Sequence, residues 1–398
     1  MSTLSATNLG RAPHRLMFFV GGLNLLLAMA WWACWLASAR WSLFAMPQPE
    51  PYAGRIHAFL MQYQVLPSFF FGFLLTVFPR WIGEPDLDRR KAWPVGAGLL
   101  GGQILTLAGA IGWSHGLILG AAAALVGWIF GLVPLARLVW LDAGKTWHAV
   151  GCFAALCLGA IGLFLWLAYL IAADEALADA VARIGTFGLL APVYFTVAHR
   201  MIPFFSASAL PGYEPWRPRW VLALGWALLV LHLGLPADGL WLSDLPLLLL
   251  SLLVFFRWVP RRRMPPLLLV LYCGLAWLPI AFALFTVQDI AFVMDGAAIL
   301  GKAPAHALFI GFFGSILVAM VTRVTQGHSG RPLLLPPVAG YAFAAIQLVC
   351  VARILAELAD DWLGWQAAAA IGWLIAFLPW VLWATWIYAT PRIDGQPD

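Results

Sequence analysis

Residues 306–332 read HALFIGFFGSILVAMVTRVTQGHSGRP, and this stretch decides what kind of molecule the chain is. His306 opens an apolar run of helical length that is rich in small residues. The run ends in a polar loop carrying Arg323, His328 and Arg331. An imidazole at the start of a membrane span costs free energy, so it marks a site by default. The stretch therefore reads as a membrane helix with a ligand or cofactor site built into it.

The rest of the chain agrees in class. Of its 398 residues 63% are hydrophobic and only 10% are charged, with a mean hydropathy of +0.87; soluble domains carry roughly a quarter charged residues. Twelve apolar segments, each near the ~20 residues needed to cross a bilayer, fall at 16–38, 57–78, 94–112, 115–139, 147–172, 183–206, 219–235, 241–258, 264–287, 303–324, 335–357 and 364–388. The expectation is an all-α integral membrane protein of about twelve transmembrane helices, with residues 1–398 forming a single polytopic membrane domain and no room for a separate soluble one.

The 23 Lys and Arg residues set the orientation, because cytoplasmic loops retain basic residues. With both termini cytoplasmic, most of them fall inside, densest at Arg89, Arg90 and Lys91 and at Arg261, Arg262 and Arg263. The net charge of +5 is thus a topology signal carried by short loops, and nucleic acid is not an expected partner; the lipid bilayer is. Cys34, Cys152, Cys157, Cys273 and Cys350 all fall within spans and read as apolar packing. No CxxCH is present, which excludes covalent c-type haem attachment. Walker, dinucleotide-fold and zinc-protease motifs are absent as well.

The histidines form two layers in depth. His57, His115, His232 and His306 lie near the outer ends of their spans, and His14, His148, His199 and His328 lie toward the inside. In the second span His57, Met61, Gln64, Ser68 and Gly72 recur at helical spacing and share a small or polar face that should look inward. In the sixth, Gly185, Gly188, Pro192, Thr196, His199 and Pro203 do the same. The two prolines there should disturb the helix and free carbonyls near His199. Two imidazoles from facing helices, His57 and His306, are what a haem iron needs for axial ligation, with His199 as a third candidate ligand. Arg55 or Arg40 could pair with haem propionates, since guanidinium suits carboxylates. His14, His115, His148 and His232 read as structural, and His328 as a loop-shaping residue. Aspartate and glutamate sit almost wholly in loops or at span ends, which counts against an ion-coupled carrier.

Three ordered motifs resemble a known family. His57-Ala58 with Met61, then Gly72-Phe73-Leu74-Leu75-Thr76 and Pro79-Arg80-Trp81, is similar to the N-terminal signature of the NnrS family. Arg200-Met201-Ile202-Pro203-Phe204-Phe205 resembles its middle signature. His306-Ala307-Leu308 with Gly311, then Thr322-Arg323 and Gly327-His328-Ser329-Gly330-Arg331-Pro332-Leu333, resembles its C-terminal one. The resemblance implies a haem- and copper-containing protein of the bacterial inner membrane, linked to nitric oxide metabolism, denitrification and protection from nitrosative stress. It would bind nitric oxide or another small nitrogen oxide, or exchange electrons with a respiratory-chain partner. One departure stands out. The family's first motif usually reads His-x-His-Glu-Met, whereas this chain has His57-Ala58-Phe59-Leu60-Met61. Phe59 and Leu60 replace a ligand and a proton carrier, so the copper centre is expected to be lost. The competing readings are a small-molecule transporter and a non-catalytic assembly partner of a respiratory enzyme.

Overall fold

The computed structural model describes residues 5–396. Their regular structure is helical, with no strand among the described residues. Twelve helices carry the architecture: α1 Pro13–Trp41, α2 Ala53–Ile82, α3 Ala92–Ala110, α4 Gly116–Leu141, α5 Trp147–Ala172, α6 Glu175–Ala209, α7 Arg219–Gly234, α8 Trp241–Trp258, α9 Pro266–Asp295, α10 Ala303–His328, α11 Pro337–Leu355 and α12 Trp362–Tyr388. Ten helices are long and apolar enough to cross a bilayer. The other two are α7, an apolar helix of 16 residues, and the 19-residue α3, whose hydropathy is diluted by glycine and Gln103. The protein is a multi-pass, all-α membrane protein.

The helices pack as two compact units. One runs up to Val193 and resumes at Val381; the other is Tyr194–Trp380. Small residues set the helix spacing in the first. A Cβ on Gly98 would stand 2.5 Å from Gly127 Cα, and one on Gly109 would stand 2.5 Å from Leu117 N, so α3 and α4 touch backbone to backbone, as membrane helices do when small residues face each other. The buried Arg15 guanidinium donates to the carbonyls of Tyr388 (3.1 Å) and Thr390 (2.6 Å), satisfying the otherwise bare C-terminal end of α12. In the second unit α9 is the spine. Gly274 admits Ser315 and Ile316 of α10, and Trp277 lies across Gly311.

Three helices bury more of their apolar window than the rest: 83% for α10 and 72% each for α2 and α6, against 33–67% for the other spans. The same three widen into π-helical turns, at Leu60–Val65, Ile184–Leu190 and Ala307–Gly314. Prolines account for two of them. Pro67 and Pro192 follow directly, and a proline ring clashes with the carbonyl four residues back; a wider turn relieves the clash. Pro67 has no N–H to return to Tyr63 O, and Trp128 Nε1 donates to that oxygen instead at 3.1 Å. In α10 no proline follows the π turn; there it coincides with Gly311 under the Trp277 indole.

Several expectations need correcting. The break expected near His199 lies earlier, at 184–190, and the helix continues through Pro203. Arg323 is not in a loop: α10 runs on to His328, because no breaker precedes Gly327 and the helix ends only where Gly330 adopts φ 72°. His14 sits buried in the first turn of α1. Cys34 and Cys273 are exposed on their helices rather than packed inside. Two carboxylates also lie within helices, not in loops: Asp244 and Asp289 are fully or nearly fully buried.

Candidate functional site

Each unit has a motif histidine near the start of one of the three most buried helices. In the first unit, His57 lies one turn inside α2 and is half-buried. Its ring stacks on Trp32 of α1, with centroids 4.6 Å apart and planes 9° from parallel. Trp32 in turn stacks on Trp35 at 5.4 Å, and Trp35 meets Tyr52 edge to face. On the far side Phe59 stacks on Trp166 at 4.6 Å. The indole N–H groups of Trp31, Trp35 and Trp166 are all buried with no acceptor among the described residues. Buried donors normally find partners, so these three indoles are polar groups that the packing of the described residues leaves over.

The expected inward face of α2 exists. Ser68 accepts from Asn24 of α1 at 3.2 Å, Gln64 donates to Thr106 of α3 at 3.3 Å, and Gly72 lies against Met17 and Phe18. The amide oxygens of Asn24, Gln64 and Gln103 are buried without donors, which gives α2 a polar seam through an apolar unit. Met61 is half-buried. Arg55 is engaged by two residues of its own unit: it forms an ion pair with Glu175, and it donates to Tyr169 at 3.1 Å while lying over that ring. Any second carboxylate has to share this guanidinium with Glu175.

In the second unit, His306 closes the first turn of α10. Its Nδ1–H donates to the Lys302 carbonyl at 2.9 Å. A carbonyl only accepts, so Nδ1 carries a proton. A backbone carbonyl accepting from one ring nitrogen is the anchor that ligating histidines use. Cys350 of α11 reaches the His306 carbonyl at 3.9 Å. Below it, Trp277 donates to Gln347 at 2.7 Å, and Gln347 donates to Ser315 at 2.8 Å. His199 is fully buried beside Trp258, and its Nε2–H donates to the Pro218 carbonyl at 3.2 Å.

The remaining motif residues gather at the other end of α10. Arg323 lies over the Phe205 ring at 4.2 Å and donates to Ser208 at 3.2 Å, tying α10 to the end of α6. Arg200 and His328 are half-buried. The Arg331 backbone N–H closes the turn on Gln326 O at 2.9 Å. These residues brace the loop end of the second unit. Among the described residues, no three His, Cys, Asp or Glu side chains converge as a metal-ion cage.

Sequence reasoning missed one cluster. His232 Nδ1 is 2.8 Å from Asp244 Oδ1 and 3.1 Å from Ser243 Oγ, and Asp289 of α9 lies within hydrogen-bonding reach of Asp244. The available signal was two aspartates beside apolar runs; placing span ends too early moved Asp289 into a loop.

The NnrS protein family matches residues 8–392, nearly the whole chain, and the chain belongs to that family. No curated protein matches it.

Proposed function

We propose that this NnrS-family membrane protein binds a b-type haem in the bacterial inner membrane, with His306 and His57 each a candidate ligand, and serves nitric oxide metabolism and nitrosative-stress protection. The supporting observation is the anchoring of His306: the Lys302 carbonyl accepts from Nδ1 and fixes the ring at the head of a span 83% buried. Family membership supplies the link to nitric oxide. The residues present suit the group. Trp32 holds the His57 ring flat, the buried indole N–H groups of Trp31 and Trp35 are donors in want of carboxylate or similar acceptors, and Arg55 adds a cation. When bound, haem supplies an iron able to pass an electron or take a nitrogen oxide. The chain's own work is to orient imidazoles, exclude water with aromatic rings and offer donors at the periphery.

Copper is the weaker half of the family's complement here. Phe59 is stacked on Trp166 and Leu60 is wholly buried, so the positions where the family pattern has a histidine and a glutamate serve packing. Stoichiometric copper in the pure protein would refute this part. The carrier reading gains one observation, the buried Asp244 and Asp289.

The deciding experiment is the absorption spectrum of detergent-purified protein, oxidised and dithionite-reduced, before and after nitric oxide. Sharp reduced α and β bands are expected. A shift with nitric oxide indicates an open or displaceable position on the iron; no shift indicates an iron closed to it. Protein made with ample haem supply yet carrying none would sink the reading.

A further inference from the structure

We propose that His232, Asp244 and Asp289 form a proton-binding site in the second unit, with one exchangeable proton seated between the two carboxylates. The inference does not rest on haem binding.

The three side chains come from three helices: His232 from the last turn of α7, Asp244 from the first turn of α8 and Asp289 from near the end of α9. Their exposures are 3%, 0% and 5%. His232 Nδ1 and Asp244 Oδ1 are 2.8 Å apart. Ser243 Oγ lies 3.1 Å from the same nitrogen and 3.3 Å from the same oxygen, and donates to Leu240 O at 2.8 Å. One oxygen of each carboxylate, Asp244 Oδ2 and Asp289 Oδ2, is buried with no hydrogen-bond partner, although the two groups are within reach of one another.

Charge counting identifies the missing ligand. Two ionised carboxylates in contact, removed from water, repel each other, and no Lys or Arg pairs with either among the described residues. A proton on one carboxyl turns the repulsion into an O–H donor facing an acceptor, as in paired aspartates elsewhere. The other carboxylate is then left as the acceptor that faces His232. Asp238 and Asp295 lie exposed near these helix ends, and α9 also packs on the first turn of α10, which brings the exposed Lys302 and the half-buried His306. None of these four replaces the shared proton, because none is hydrogen-bonded to either aspartate. The helix ends place the cluster close to one membrane face, the outer one under the orientation implied by the loop charges, so exchange with water needs only a short path.

The test is infrared difference spectroscopy of the detergent-purified protein across pH, in water and heavy water. At neutral pH the wild type should show a protonated-carboxyl C=O band that shifts in heavy water and disappears in alkali. Asp289→Asn should remove it with helical content unchanged, and Asp238→Asn should leave it. A wild type without the band, or an Asp289→Asn variant that keeps it, overturns the proposal. So does loss of the band on adding sodium at fixed pH, which would make the site a sodium site. Should Asp289→Asn fail to fold, Asp289→Ser carries the same expectation. The haem spectrum should persist in these variants, so failure here and failure of the haem reading are separable.

Discussion

His57 and His306 open two of the most buried helices, yet each is held by a different kind of force. His57 is held by a face: Trp32 stacks on the ring, and Trp35 and Tyr52 continue the aromatic chain from Trp32. His306 is held by an edge, through one hydrogen bond from Nδ1 to a backbone carbonyl. Stacking fixes the plane of an imidazole, whereas a backbone hydrogen bond fixes the rotation of the ring about its side-chain bond. Under the haem proposal His306 is the more firmly pre-set of the two.

The sharpest way to break this contrast is by deletion. His306→Ala should lower haem per protein at least tenfold, and His57→Ala should also lower it or change the reduced bands, with the protein still inserted in the membrane. Wild-type spectra in both variants would end the assignment. A heavier loss from His57→Ala would reverse the ranking of the two settings. A second, smaller effect tests the backbone beneath His306. A Cβ at Gly311 would lie 2.5 Å from Trp277 Cδ2, so Gly311→Val should destabilise by about 1–3 kcal/mol, read as a lower thermal unfolding midpoint in detergent. An unchanged midpoint would mean that Trp277 moves freely and does not seat the helix. The smallest effect is expected at Trp32→Leu. Losing a stacked ring removes roughly 0.5–1.5 kcal/mol, a two- to tenfold weakening of haem binding by titration of apo-protein; unchanged affinity would show that stacking does not position His57.

The sequence made the membrane class and the succession of spans legible, because apolar runs near bilayer length leave few alternatives. It was less informative at the ends. Helix α2 begins at Ala53 rather than at His57, and α9 extends to Asp295, since a helix can outlast its apolar stretch when polar residues find partners. That one error hid Asp289. The inward stripe of His57, Ser68 and Gly72 was legible from spacing, but Trp32 as the partner of His57 was not, because a contact between helices leaves no periodic trace in either. Arg55 illustrates the same limit: its position beside a histidine suggested a propionate partner, and its ion pair with Glu175, far along the chain, is a fact of packing.

The three π turns have a consequence for how the sequence can vary. A π turn holds one residue more than its α neighbours, and each residue in a helix advances about 100° around the axis. Segments 60–65, 184–190 and 307–314 therefore act as frame-setters. Removing a single residue from any of them would leave an unbroken helix of ordinary appearance, with every side chain beyond it turned toward a different neighbour. In α10 that would carry Ser315, Thr322 and Arg323 away from Gln347, Trp380 and Ser208. In these stretches a point substitution trades one contact, whereas a one-codon deletion exchanges the whole downstream set.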